Sequence, residues 1–144
     1  MFTQLKKRSE GFTIVELLIV IVVIGILAAL VLNTFQGVQA RARDTERKTD
    51  INAIHTQLEV FYNDNGYYAV NAAALTTATL PGIADEALLD PAGDGVGTGD
   101  YTYTALPAGC DNSSTDCGGY TLEAQLEEEA TAYSKNSLNS PATP

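Results

Sequence analysis

From Phe12 to Leu32 the chain is apolar at every position except Thr13, Glu16 and Gly25. As a helix rising 1.5 Å per residue this run reaches about 31 Å, close to the roughly 30 Å hydrocarbon core of a bilayer. Apolar side chains fall on all sides, so the run must be covered all round by lipid or by protein. Ile and Val dominate it and disfavour helix in water, but in lipid the backbone finds partners only within a helix. A different pattern follows: Ile51, Ile54, Leu58 and Phe61 recur at three, four and three residues, one stripe of an amphipathic helix expected to pack on a sheet. His55 lies beside that stripe and with no ligand set, which makes it a structural or exposed histidine. Gly66, after Asn63, Asp64 and Asn65, is the helix stop. An unbroken helix from Phe12 to Tyr62 would measure about 77 Å.

Beyond the helix, residues 67–100 are rich in Ala, Thr, Gly and Asp and read as a loop with a short helical turn near Asp85 to Leu89. YTYTAL (Tyr101–Leu106) and YTLEAQLE (Tyr120–Glu127) alternate as half-buried strands do. In the second, Tyr120, Leu122, Ala124 and Leu126 share one face. Residues 107–119 join the two as an antiparallel hairpin, and the Ser, Thr, Asn and Pro of residues 131–144 predict a flexible tail. The fold class is α+β, a long N-terminal helix with a membrane-spanning half and an amphipathic half, packed on a small antiparallel sheet. Its segments are residues 1–11 as a leader, 12–33 as the apolar helix, 34–65 as the amphipathic half, 66–130 as the head and 131–144 as the tail.

Charge is distributed as unevenly as hydrophobicity. The formal net charge is -10, from eight bases and eighteen acids. Lys6, Lys7 and Arg8 make a basic tip, whereas beyond Lys48 fourteen acids from Asp50 to Glu129 face Lys135 as the sole base. Such acidity disfavours broad contact with a nucleic-acid backbone, leaving nucleic acid unlikely as a direct ligand. One His, two Cys and no Trp leave little material for a metal centre or for acid–base work. No nucleophile–base pair can be named, so no catalytic residue is assigned. Arg41, Arg43, Arg47 and Lys48 are interleaved with Asp44, Glu46 and Asp50, and Asp44 to Lys48 has the favourable acid-before-base spacing, about 0.2–0.5 kcal/mol. These bases are either a solvated helix face or contacts to acids of neighbouring subunits, and the sequence does not separate the two.

The apolar run alone admits three readings. A secretory signal peptide would end at a small-residue site such as Val38-Gln39-Ala40, but the run exceeds the usual 7–15 residues. A plain anchor fits the length and leaves Glu16 unexplained, since a carboxylate at the centre of a membrane helix costs about 2.5–3.5 kcal/mol. The third is a special role for Glu16.

Residue identities favour the third. KKRSEGFTIVELLIVIVVIGILAAL, Lys6 to Leu30, resembles the N-terminal signature of type IV pilins and pseudopilins. The resemblance implies cleavage by a prepilin peptidase between Gly11 and Phe12, N-methylation of Phe12, and a helix retained as the filament core. Glu16, one turn from the new amine, corresponds to the family's glutamate, which is thought to pair with the terminal amine of a neighbouring subunit and to set the axial step. Many pilins carry a proline just beyond the apolar run; Asn33 stands there, which puts a melted segment between Gly25 and Asn33 in doubt. ARARDTERKTDINAIHTQLEVFYNDNGYY also resembles pilins.

Export of such a protein would place Cys110 and Cys117 in an oxidising exterior, where a disulfide is expected. Asn112-Ser113-Ser114 in the same loop matches a glycosylation sequon. Some pseudopilins bind calcium in their heads, and Asp90, Asp94 and Asp100 on a Gly-rich loop are weak calcium candidates whose spacing does not match the EF-hand pattern; plain turns are the stronger reading. No other cofactor is expected. The resemblance implies a structural, non-enzymatic subunit of a type IV pilus serving motility, adhesion or DNA uptake. Its partners would be further copies of itself, prepilin peptidase, the assembly platform, cytoplasmic ATPases and the inner membrane. It would sit first in the cytoplasmic membrane as a single-pass precursor, then on the cell surface. Alternatives are a pseudopilin or minor pilin of a type II secretion or competence system, or a membrane-tethered ligand-binding domain.

Overall fold

A computed structural model describes residues 11–91, 94–97 and 99–139. Its elements are one helix, α1 (Ile14–Asn65), two short 3₁₀ turns (Ala72–Ala74 and Asp85–Leu88), and three strands, β1 (Tyr101–Leu106), β2 (Gly119–Ala124) and β3 (Tyr133–Asn136). The chain divides between Val38 and Gln39 into two units.

In the first unit α1 passes through Gly25, Asn33 and Gly37 without a break. The segment between Gly25 and Asn33, where melting was in doubt, is thus helical, in keeping with the absence of proline: every residue keeps its backbone donor. Phe12, Ile14 to Val15, Leu17 to Ile24, and Ile26, Leu27 and Leu30 to Leu32 are all exposed, Phe12 by 85%. Nothing in this unit covers the apolar surface, and among the described residues α1 is long and apolar enough to cross a membrane.

The second unit is an α+β head. Ile51, Ile54 and Leu58 of α1 are fully buried in one core with Tyr68, Leu75, Leu80, Tyr101, Tyr120 and Leu122, and Phe61 packs against it half-buried. The stripe read from the sequence is thus the face that meets the sheet. α1 ends where expected: the Gly66 N–H donates to the Tyr62 carbonyl at 2.7 Å with φ of 81° at Gly66, a conformation glycine adopts without strain. The sheet is antiparallel in the order β1-β2-β3, with Tyr103 opposite Leu122 and Leu122 opposite Lys135.

Two boundaries differ from the sequence reading. β2 closes at Ala124 and does not run on to Glu127, because residues 125–129 turn to meet α1. Residues 133–136 are a strand within the stretch expected to be a tail. Tyr-Ser-Lys-Asn has no apolar alternation, so the pattern gave no strand signal. It pairs because β2 offers an unfilled edge, and the Tyr133 hydroxyl donates to Asn52 Oδ1 on α1 at 3.1 Å. Lys135 on a four-residue edge strand also suits a position that must resist further pairing. Residues 140–144 of the expected tail lie outside the described residues.

Candidate assembly site

The first turn of α1 carries Glu16, and the residue before the helix fixes its side chain. Thr13 is the N-cap: its Oγ1 accepts from the Glu16 N–H at 3.2 Å. In return Glu16 Oε2 accepts from the Thr13 N–H at 2.8 Å and from its hydroxyl at 2.7 Å. This is a reciprocal capping box, which satisfies two helix donors that would otherwise be left open. Sequence reasoning missed it, although Thr-x-x-Glu ahead of an apolar run is its usual signature. Glu16 is therefore held on one oxygen by its own chain, and Oε1 has no partner among the described residues. Gly11 and Phe12 precede the helix, and Phe12 is fully open to contact. Lys6, Lys7 and Arg8 lie outside the described residues.

The basic strip meets acids of its own chain, with Arg41 largely exposed. Arg43 Nε donates to Glu127 Oε1 at 2.7 Å and its Nη2 to Glu127 Oε2 at 2.5 Å. Arg41 lies 3.7 Å from Glu128, and Lys48 donates to Glu129. Arg47 is the centre: its side chain is 4% exposed and meets Asp44 at 3.1 Å, Asp100 at 2.7 Å and Glu127 at 2.9 Å. Asp44, also buried, accepts from the backbone N–H groups of Glu127 and Glu128 at 2.8 and 2.9 Å. All four bases thus meet acids of their own head. Asp44 pairs with Arg47 and not with Lys48, because the Glu127–Glu129 segment draws Lys48 away. Three consecutive glutamates just after a strand were the signal that could have found this clamp.

Electrostatics follow from that geometry. Burial opposes ionisation of Asp44, but the two N–H groups and Arg47 outweigh it and hold the carboxyl below the ordinary range. Hydrogen bonding to Arg43, reinforced by Arg47 against partial desolvation, brings Glu127 down to about 2. Arg47 Nε remains without a hydrogen-bond partner, a local cost of burial.

The aspartates considered for calcium are not assembled as ligands. Asp90, buried, accepts from the N–H groups of Asp94 and Asp100, both at 3.1 Å, and so closes its own loop. The Asp100 carboxylate is turned to Arg47. Among the described residues no group of three or more His, Cys, Asp or Glu side chains could hold a metal ion. Cys110 and Cys117 form a disulfide with Cα atoms 5.1 Å apart. In the loop it closes, the Asn112 side chain donates to the Tyr68 carbonyl at 2.8 Å and accepts from the Cys117 N–H at 2.7 Å. The sequon asparagine is therefore spent on holding the loop to the core.

Residues 6–32 match the family described as the prokaryotic N-terminal methylation motif. Over 98% of its length the chain is 31% identical to fimbrial protein EcpC of Eikenella corrodens, covering 97% of that protein. It is 37% identical over 67 residues to the type IV major pilin protein PilA of Myxococcus xanthus, 46% of this chain and 30% of that one. It is also 34% identical over 71 residues to type II secretion system core protein G of Dickeya chrysanthemi, 49% and 46% of the two chains. The match thus spans less than half the length of these last two relatives. No solved structure matches the chain.

Proposed function

The chain belongs to the type IV pilin and pseudopilin superfamily, and from that premise we propose that it is a pilin subunit, made as a membrane-anchored precursor and polymerised into a surface filament. In this reading prepilin peptidase cuts between Gly11 and Phe12, removing residues 1–11, and Phe12 becomes the methylated terminus. The single observation that carries it is the first unit of α1: an apolar helix uncovered on all sides with one carboxylate in its first turn. Lipid covers that surface in the precursor, and the same surface of other copies covers it in the filament. Either cover is worth about 1.5–3 kcal/mol for each large apolar side chain fully removed from water.

Apolar contact supplies adhesion but little register, because Ile and Val slide past one another at small cost. Glu16 supplies the register. Its Oε2 is fixed by Thr13, so Oε1 is presented at a defined place and can accept from the Phe12 amine of a neighbouring subunit. Paired, the two charges are tolerated in an apolar bundle; apart, each is costly there. The head contributes no catalysis in this reading. Its one histidine faces a phenol and a carboxylate, and both cysteines are joined. With Arg41, Arg43, Arg47 and Lys48 met by its own acids, the head offers nucleic acid an acidic face, so any DNA uptake would proceed without direct binding to this subunit.

The test is an intact mass and N-terminal sequence of the protein sheared from cell surfaces. A chain beginning with methylated Phe12 in that fraction supports the reading. A start at Arg41 would mean a secreted soluble head, and an intact leader a plain membrane anchor. The similarity to a type II secretion core protein favours one second reading, a pseudopilin forming a short cell-envelope filament. Mature protein found in the membrane and scarce in the sheared fraction would select it.

A further inference from the structure

The polar centre of the head core lies where α1 meets β2. Tyr120 is fully buried, and its hydroxyl lies 2.6 Å from His55 Nδ1 and 3.1 Å from Glu59 Oε1. Glu59 also accepts from the Tyr68 hydroxyl at 2.8 Å and from the Leu138 N–H at 3.3 Å, and lies 4.0 Å from His55 Nδ1. Around the phenol the Tyr68 ring stands edge-on at 4.8 Å and the Tyr103 ring stacked at 5.5 Å, and Tyr62 stacks on Tyr68 at 4.5 Å. One acceptor would satisfy one phenolic proton; Tyr120 has a titratable base and a carboxylate together. The hydroxyl donates to Glu59 Oε1, and in its Nε2–H tautomer His55 presents Nδ1, at 2.6 Å, as a second and nearer acceptor for the same proton.

We propose that Tyr120 and His55 form a buried one-electron redox site, in which Tyr120 is oxidised while its phenolic proton passes to His55 Nδ1. The oxidant is a one-electron acceptor of the oxyl-radical class reaching the head from the cell exterior. It gains one electron from the ring; the Tyr120 O–H bond breaks as an N–H bond forms at Nδ1, leaving a neutral tyrosyl radical and an imidazolium. A one-electron reductant of the thiol or ascorbate class returns the electron, and the proton moves back to the phenolate oxygen. The neighbouring rings share the electron deficiency, and burial keeps the radical from coupling with solvent-borne species. The site would let the head absorb oxidising equivalents reversibly, sparing its disulfide and backbone. Burial, with Glu59 beside it, pushes the Tyr120 phenol far above its ordinary range, so at neutral pH no phenolate is at hand and electron and proton must leave together.

The test uses the full chain in detergent micelles, with a photogenerated ruthenium(III) tris-bipyridine oxidant and a cobalt(III) ammine as the sacrificial acceptor. Tyrosyl radical is followed by transient absorption and electron paramagnetic resonance. Wild type should give a long-lived radical whose formation slows severalfold in D₂O. His55→Gln keeps a hydrogen-bond acceptor but cannot take the proton. It should cut radical yield severalfold and abolish the isotope effect, with the near-UV circular dichroism of the head retained. Tyr120→Phe should remove most of the signal, and Tyr133→Phe on the edge strand should leave it unchanged. A wild-type rate insensitive to D₂O, or a His55→Gln signal equal to wild type, overturns the proposal. Both readouts stand even if Tyr120→Phe does not fold.

Discussion

Arg47→Met tests the clamp between α1 and the segment after β2. The guanidinium is buried against Asp44, Asp100 and Glu127, but these acids are not equally dependent on it. Asp100 and Glu127 are 42% and 35% exposed and would relax into water at little cost. Asp44 is 7% exposed and stays buried, with two backbone N–H donors as its remaining support. Stranding one partner of a buried pair costs about 3–5 kcal/mol. Removing Arg47 Nε, which has no partner, returns about 1 kcal/mol of that. The expected loss is therefore about 2–4 kcal/mol, or roughly 1.3–2.7 M in the urea midpoint at an m of about 1.5 kcal/mol/M. All seven tyrosines lie between Tyr62 and Tyr133, so near-UV circular dichroism of the full chain in micelles reports the head and not the apolar helix. Asp44→Asn with Arg47→Met should be less unstable than the sum of the two single variants by more than about 1 kcal/mol, because both then lose the same stranded charge. A negligible midpoint shift for Arg47→Met, or strict additivity, would refute the view that this ion cluster holds the segment to the helix.

Other expectations follow from the same structure. Asp44 and Glu127 titrate below their ordinary values of 3.8 and 4.5, so the stability they confer is present above those values. It should be lost as pH falls below them, toward about 2 for Glu127, and near-UV circular dichroism should decay in that window. Burial raises Tyr101, Tyr103 and Tyr120 well above the ordinary 10, and burial with Glu59 raises Tyr68 to about 12. A phenol raised in the folded state stabilises the head below pH 10 and ceases to do so as pH climbs, so phenolate absorbance from these four should appear together with loss of the head signal. Cys110→Ser opens a loop of six residues between the cysteines, and chain entropy predicts a loss of about 2–2.5 kcal/mol, read as a lower thermal midpoint. Glu16→Ala should insert into membranes at wild-type level while sheared filaments disappear; normal filaments would sink the proposed pairing with Phe12.

The sequence by itself determined the elements whose cause is local. An apolar run with no interruption beyond Thr13, Glu16 and Gly25 has helix as its only solution in lipid, and the spacing of Ile51, Ile54, Leu58 and Phe61 requires the same helix to present one face to a core. β1 was legible because Tyr101 to Leu106 alternates, and the helix stop because glycine takes a positive φ without strain. Family resemblance was legible for the related reason that the Gly11 to Leu32 motif is contiguous. Tertiary structure alone decided the pairings between residues about eighty positions apart: Arg43 and Arg47 with Glu127, Lys48 with Glu129, and Asn52 with Tyr133. Charge has no periodicity to read, since a solvated base and a clamped one look alike until the chain brings an acid to it. β3 likewise depended on an edge that exists only once β2 is in place, and the Tyr120–His55 contact on a crossing of helix and sheet that no local rule specifies. Hydrophobic order is written along the chain because each residue meets solvent or core by its own position. Polar specificity is settled only when distant segments meet, because a hydrogen bond or ion pair needs its partner within a few ångströms.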